Sequence, residues 1–155
     1  MQRFGLFSVM ALALLFNLAM AGNTRNFGAH LSGGNEVPAV QTKAQGQVTF
    51  QVSADSMSIS YRLMAANILN VRASHIHLAA PGVNGPVIVF LYGGPTIPGP
   101  FNGVLAEGSF SASDLIGPMA GQTIADLLAQ FEAGNLYVNV HTDQNPGGEI
   151  RGQLK

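Results

Sequence analysis

Beyond its first twenty residues, the chain alternates between polar and apolar positions over short stretches. Gln47-Val48-Thr49-Phe50-Gln51-Val52 puts Val48, Phe50 and Val52 on one side and polar residues on the other. A period of two is that of a strand with one buried face. Met57-Ser58-Ile59-Ser60-Tyr61-Arg62-Leu63 repeats it, with Met57, Ile59, Tyr61 and Leu63 inward, and Ala54-Asp55-Ser56 between the two runs reads as a hairpin turn. Further strands are expected at Asn26–Ser32, Ala73–Leu78, Pro86–Tyr92, Gly103–Phe110, Leu136–Thr142 and Gly148–Leu154. Val87 to Tyr92 is apolar on both faces, which predicts a central strand covered on both sides. Pro81-Gly82, Asn84-Gly85, Gly93-Gly94-Pro95 and Asn145-Pro146-Gly147-Gly148 supply turns. Many short strands separated by turns are the pattern of an antiparallel sandwich or barrel.

One segment has a different period. Ile124, Leu127, Leu128 and Phe131 form a helical stripe, Thr123 is placed to cap it, Asp126 completes a capping box, and Gly134 stops it. A shorter helical turn is expected over Ser113–Ile116, ending at Gly117-Pro118.

The first residues follow neither pattern. Arg3 precedes an almost unbroken apolar run from Phe4 to Leu18, and Ala19-Met20-Ala21 has the small-x-small form of a signal-peptidase site. The run is shorter than the ~20 residues that span a bilayer. Residues 1–21 are therefore expected to be a cleaved secretory signal, leaving residues 22–155 as one secreted or periplasmic domain with no membrane span. The chain has seven Lys and Arg against eight Asp and Glu, and neither sign forms a run. No nucleic-acid or anionic-membrane partner is suggested. There is no cysteine. That excludes disulfides, a lipid-anchored lipoprotein and a blue-copper thiolate site. No elbow serine or phosphate-binding glycine loop is present either.

The four histidines carry the remaining chemistry. His75 and His77 are two apart in an expected strand, so they share a face while Ile76 and Leu78 take the other. Val138 and Val140 should face the core, which turns Tyr137, Asn139 and His141 outward. If these strands are neighbours, three imidazoles converge on one outer sheet face. Imidazoles suit copper and zinc, and three protein ligands with an open position mark a reactive metal site. The alternative is a set of solvated or hydrogen-bonded side chains with no ion. Asp143 and Glu149 are the carboxylates closest to His141 in sequence and are candidates to orient an imidazole. Glu149 and Arg151 share a face of the last strand, where an ion pair or a ladder with Glu36 is expected. His30, without a partner nearby in sequence, is assigned a structural role.

Several blocks resemble one family. Leu31-Ser32-Gly33-Gly34-Asn35-Glu36-Val37-Pro38 is similar to the opening of a CHRD domain, and Ser74-His75-Ile76-His77-Leu78 to its central segment. Leu136-Tyr137-Val138-Asn139-Val140-His141-Thr142 and Asn145 to Leu154 resemble its closing segments. The resemblance runs from about Phe27 to Leu154. It implies an all-β, antiparallel Greek-key β-sandwich, immunoglobulin-like or superoxide-dismutase-like, with one short helix before the last two strands. The family includes the extracellular growth-factor-binding protein chordin and implies no settled activity. A second resemblance is to copper/zinc superoxide dismutase. In it His75 and His77 stand for the copper-binding pair, His141 for a later copper ligand and Arg151 for the active-site arginine. The zinc loop, the bridging histidine and the disulfide of that family have no counterpart here.

Three functions follow as expectations. The first is an exported metal-binding module with copper, or secondarily zinc, on His75, His77 and His141, and with Asp143, Glu149 and Arg151 around them. The second is a metal-free module binding an envelope, extracellular or matrix partner, for which the glycine- and proline-rich segment Gly93 to Gly103 is the natural contact loop. The third is a dismutase-like redox enzyme.

Overall fold

The structure, a computed structural model, describes residues 25–155. The expected signal over residues 1–21 lies outside the described residues. In chain order the elements are β1 (Asn26–Ser32), β2 (Gln45–Val52), β3 (Ser58–Leu78), β4 (Val87–Tyr92), β5 (Ile97–Ser111), α1 (Ile124–Glu132), β6 (Leu136–Thr142) and β7 (Ile150–Gln153). Every strand pairing is antiparallel. The all-β class holds, but the Greek-key sandwich does not. Strands β1, β2, β3, β6 and β7 pair in a ring and close a five-stranded barrel, to which β4 and β5 are added along β3.

The reason lies in β3. Its alternating ends predicted two strands, yet they are one strand of 21 residues. Asn67 and Asn70 adopt φ of 55° and 52°, a left-handed conformation that asparagine tolerates better than most residues with side chains. The ladder to β5 changes register around both. The bend is held by side chains: Asn102 Oδ1 accepts from the Asn67 N–H, and Asn70 Oδ1 accepts from the Gly99 N–H. The first half of β3 lies between β2 and β5, and the second half between β6 and β4. One bent strand thus carries the sheet around a corner, and the sheet rolls into a barrel rather than splitting into two layers.

Two further expectations change. Strand β4 sits at an edge of the sheet rather than its centre. Ile88, Val89 and Leu91 are buried, while Phe90 is 57 % exposed. The chain at Ile116 covers part of the outer margin by donating its N–H to the Ile88 carbonyl. Most of the segment expected as a contact loop, Gly93 to Gly103, is the first part of β5. Pro98 and Pro100 are accommodated because β5 pairs only with β3, so the other edge needs no N–H donors. Met57 lies just before β3 and is exposed rather than inward.

The core follows the alternation. Val48, Phe50, Ile59, Leu63, Ile76, Val138, Val140 and Ile150 are all essentially inaccessible to solvent. Helix α1 packs its stripe on them: Ile124, Leu127, Leu128 and Phe131 are buried. The Phe131 ring lies 4.5 Å from that of Phe27 and 5.5 Å from that of Phe50. Thr123 Oγ1 accepts from the Asp126 N–H, and the Asp126 carboxylate accepts from the Thr123 N–H, as the capping box requires. The expected turn near Ser113 is present as two 3₁₀ turns, Ala112–Asp114 and Gly117–Met119.

Replacing Phe50 by Ala removes a ring shared by the barrel and the helix, and should cost about 3–5 kcal/mol of unfolding free energy. Thr123→Ala, which removes only the cap, should cost about 1 kcal/mol. Urea denaturation followed by circular dichroism distinguishes the two.

Candidate metal centre

Strand pairing brings the three histidines together. Antiparallel register places Ala73 opposite His141, His75 opposite Asn139 and His77 opposite Tyr137. Ile76, Val138 and Val140 point into the barrel, so His75, His77, Tyr137, Asn139 and His141 share its outer face. That face was expected to be open. Instead it is a second, polar interior: His75 is 9 % exposed, His77 7 %, and Tyr137, Asn139 and Arg151 each 2 %.

Three loops make the cover, and their contacts show how. The 79–86 loop accepts at the Gly85 carbonyl from His77 Nδ1, 2.9 Å away, and donates its Gly85 N–H to the Tyr137 hydroxyl. The 143–149 loop accepts at the Pro146 carbonyl from His141 Nδ1, at 3.0 Å. The segment after β1 donates from Asn35 Nδ2 to the Arg151 carbonyl and sends Glu36 beneath Gly148. Gly148 has φ of 126°, and any Cβ there would collide with the Glu36 carboxylate and the Asn139 amide.

His141 therefore gives its Nδ1 proton to the Pro146 carbonyl, which leaves its Nε2 lone pair for the cluster, and His77 Nδ1 faces the Gly85 carbonyl in the same way. This is the arrangement in which a protein fixes the tautomer of a ligating imidazole. His75 Nδ1 stands 3.0 Å from His141 Nε2, the spacing of adjacent nitrogens around one ion. One ring nitrogen from each of the three histidines lies within 4.8 Å of the others. Bonds of ~2.0–2.1 Å hold two ligand nitrogens at most about 4.1 Å apart, so a contraction of about 1 Å would complete the site. Two atoms are poorly served without an ion. His75 Nε2 is buried and has no hydrogen-bond partner. Asn139 Oδ1 faces His77 Nε2 at 3.0 Å, so two acceptors, this one and the Gly85 carbonyl, compete for the one proton of a neutral ring.

Burial keeps the cluster neutral. His75 is pushed down to about 4, chiefly by burial and then by the nearness of His141 and His77. Burial also lowers His77 and His141. Neutral imidazoles are the form that binds metal. Phe90 stands edge-on to His75, with ring centroids 4.6 Å apart. His77 lies flat on Tyr137 at 4.6 Å, and the Arg151 guanidinium carbon is 3.4 Å from the centroid of the same Tyr137 ring.

The residues expected around the histidines distribute differently. Asp143 forms an exposed ion pair with Arg72, not with His141. Glu149 accepts from the hydroxyls of Thr42 and Thr142, both at 2.7 Å, and makes no ion pair with Arg151. Arg151 donates instead to Asn84 Oδ1 at 3.0 Å and the Val83 carbonyl at 2.8 Å. His30 is exposed on β1. The carboxylate that does reach the polar interior is Glu36. Burial raises it to about 7 against the opposing pull of Arg151 and the Asn139 amide. Asn139 and Tyr137 shared the histidines' face in the sequence pattern, but only the strand register shows their contact with His77.

A small antiparallel barrel domain with a lidded polar face and a three-histidine cluster is the class that these features define. The chain belongs to the CHRD domain family: the CHRD domain model matches residues 27–154. Domains of this family are typically extracellular, and among the described residues no helix is long and apolar enough to cross a membrane. No curated protein matches the chain.

The Glu36 shift fixes the sign of a pH effect. The folded state holds the Glu36 proton up to about pH 7 and the unfolded state only to about 4.5, so Glu36 costs stability as pH rises through that window. Glu36→Gln should therefore be more stable than the wild type by about 3 kcal/mol near pH 8, with the difference vanishing near pH 4. Urea denaturation at both pH values measures it.

Proposed function

We propose that this is an exported, extracytoplasmic CHRD-domain protein, delivered by residues 1–21, that binds a transition-metal ion through His75, His77 and His141, with copper favoured over zinc. The observation that carries this reading is convergence: one ring nitrogen from each of the three histidines lies within 4.8 Å of the others, the Pro146 carbonyl holds His141 Nδ1, and the buried His75 Nε2 has no hydrogen-bond partner. All-nitrogen imidazole donors suit copper and zinc alike. An environment outside the cytosol favours copper, since there it is less tightly withheld.

One observation favours a second reading, a metal-free binding module. The His75–His141 hydrogen bond at 3.0 Å and the His77–Asn139 contact at 3.0 Å partly satisfy the cluster by itself. In that case the polar interior serves only to hold the covering loops, and those loops carry recognition of an extracellular or matrix partner. The dismutase-like reading has less support: Arg151 is turned to Asn84, Val83 and Tyr137.

Protein purified without a histidine tag and titrated with Cu(II) and Zn(II) should take up about one ion per chain. His77→Ala should weaken uptake at least about 100-fold while keeping the circular dichroism of the parent. Calorimetry and elemental analysis read both. Equal uptake by parent and variant would sink the metal reading and leave the module.

A further inference from the structure

A well-defined cleft lies beside the histidines rather than over them. It has a volume of about 500 Å³ and follows the outer side of the seam between β1 and β7. It is lined by Gly28, Ala29 and His30 of β1, by Arg151 and Gln153 of β7 and Lys155 just beyond it, and by Asn35, Pro81 and Gly82 of the covering loops. Alternation along β7 turns Arg151, Gln153 and Lys155 to one face, and the ladder pair Ser32–Arg151 puts His30 on that face too.

The lining has two chemical halves. The first is cationic. Arg151 is 2 % exposed, and a buried charge is costly unless it is paired. Its hydrogen bonds go to neutral acceptors, Asn84 Oδ1 and the Val83 carbonyl, and its guanidinium rests on the neutral Tyr137 ring. Among the described residues no carboxylate lies within ion-pair distance of it. The nearby acid Glu36 is held to about 7 by burial and is a weak counter-charge. Lys155 adds a second cation at the rim, and no Asp or Glu side chain lines the cleft. The second half accepts hydrogen bonds. Gln153 spends both donors of its amide on the Ala79 and Gly134 carbonyls, and Asn35 donates one of its two amide N–H groups to the Arg151 carbonyl. Their side-chain oxygens make no hydrogen bond to any described residue.

A simple inorganic oxyanion would use the cations and be repelled by the two amide oxygens. A neutral sugar would use the oxygens and leave the guanidinium without its counter-ion. We infer that the β1–β7 cleft binds a sugar acid, a carboxylate carried on a polyhydroxylated ring, with the carboxylate toward Arg151 and Lys155 and hydroxyls donating to Asn35 and Gln153. The volume is within the range of small-molecule sites. The inference does not depend on the metal reading, because none of the three histidines lines the cleft.

The test is calorimetric titration of the full chain, with a chelator present throughout, using glucuronate, a short oligoglucuronate, glucose, sulfate and phosphate. Glucuronate should bind, glucose and the inorganic anions should bind at least about tenfold more weakly, and added salt should weaken the glucuronate signal. Lys155→Glu changes an exposed residue and should reduce glucuronate affinity about tenfold. Arg62→Glu, on the distant β3–β5 surface, should leave it unchanged. Tighter binding of the oligomer than of the monomer would identify a polysaccharide as the source, and equal binding a free sugar acid. Glucose or sulfate binding as well as glucuronate would overturn the inference, as would a silent glucuronate titration or an unaffected Lys155→Glu variant.

Discussion

The fold depends on one constraint, the bend in β3. A 21-residue strand that stayed straight would outrun the core and leave one of its halves without partners. By turning at Asn67 and Asn70, β3 pairs with β2 and β5 before the corner and with β6 and β4 after it. The second half is the part that carries His75 and His77. Its orientation, and so the approach of both rings to His141, is set by two left-handed asparagines that touch none of them.

A second consequence of rolling the sheet is that the outer face of β3, β6 and β7 can be covered by the loops connecting its own strands. Burying a polar face is expensive unless its donors and acceptors meet partners. Here most do. The His77 ring rests on Tyr137, Tyr137 meets the Arg151 guanidinium, and Asn84 ties Arg151 to the covering segment through the Val37 carbonyl. Among the described residues the exceptions are one nitrogen of His75 and one oxygen of Glu36.

Much of this was legible in the sequence. The alternation placed β1 and β6 at their observed bounds and the helical stripe on α1, because a period of two or of 3.6 reports directly on which side of an element is buried. Face parity brought His75, His77 and His141 together for the same reason. What parity cannot report is what lies on top of a face. The histidines looked exposed because the loops that bury them, around Gly85 and Pro146, act through backbone carbonyls, which every residue possesses. The apolar run in β4 suggested a central strand, since a residue such as Phe90 looks the same in sequence whether it is buried or packed edge-on against an imidazole at the surface. The merging of two strands into β3 was hidden by Asn67 and Asn70, which ordinarily signal the end of a strand. Asp143 was adjacent to His141 in sequence, but Arg72 supplied a better partner.

The seam between β1 and β7 has a consequence for how the molecule comes into being. Gly28 and Lys155 exchange a pair of backbone hydrogen bonds of 3.0 and 3.1 Å, and they stand near opposite ends of the described chain. No portion lacking its last strand can close the ring. Contacts so distant in sequence make folding slow relative to a helical domain of the same length. A chain emerging from a ribosome therefore stays open until β7 has been made. With no cysteine in the chain and so no disulfide to form, pairing of β7 with β1 is the step that closes the ring.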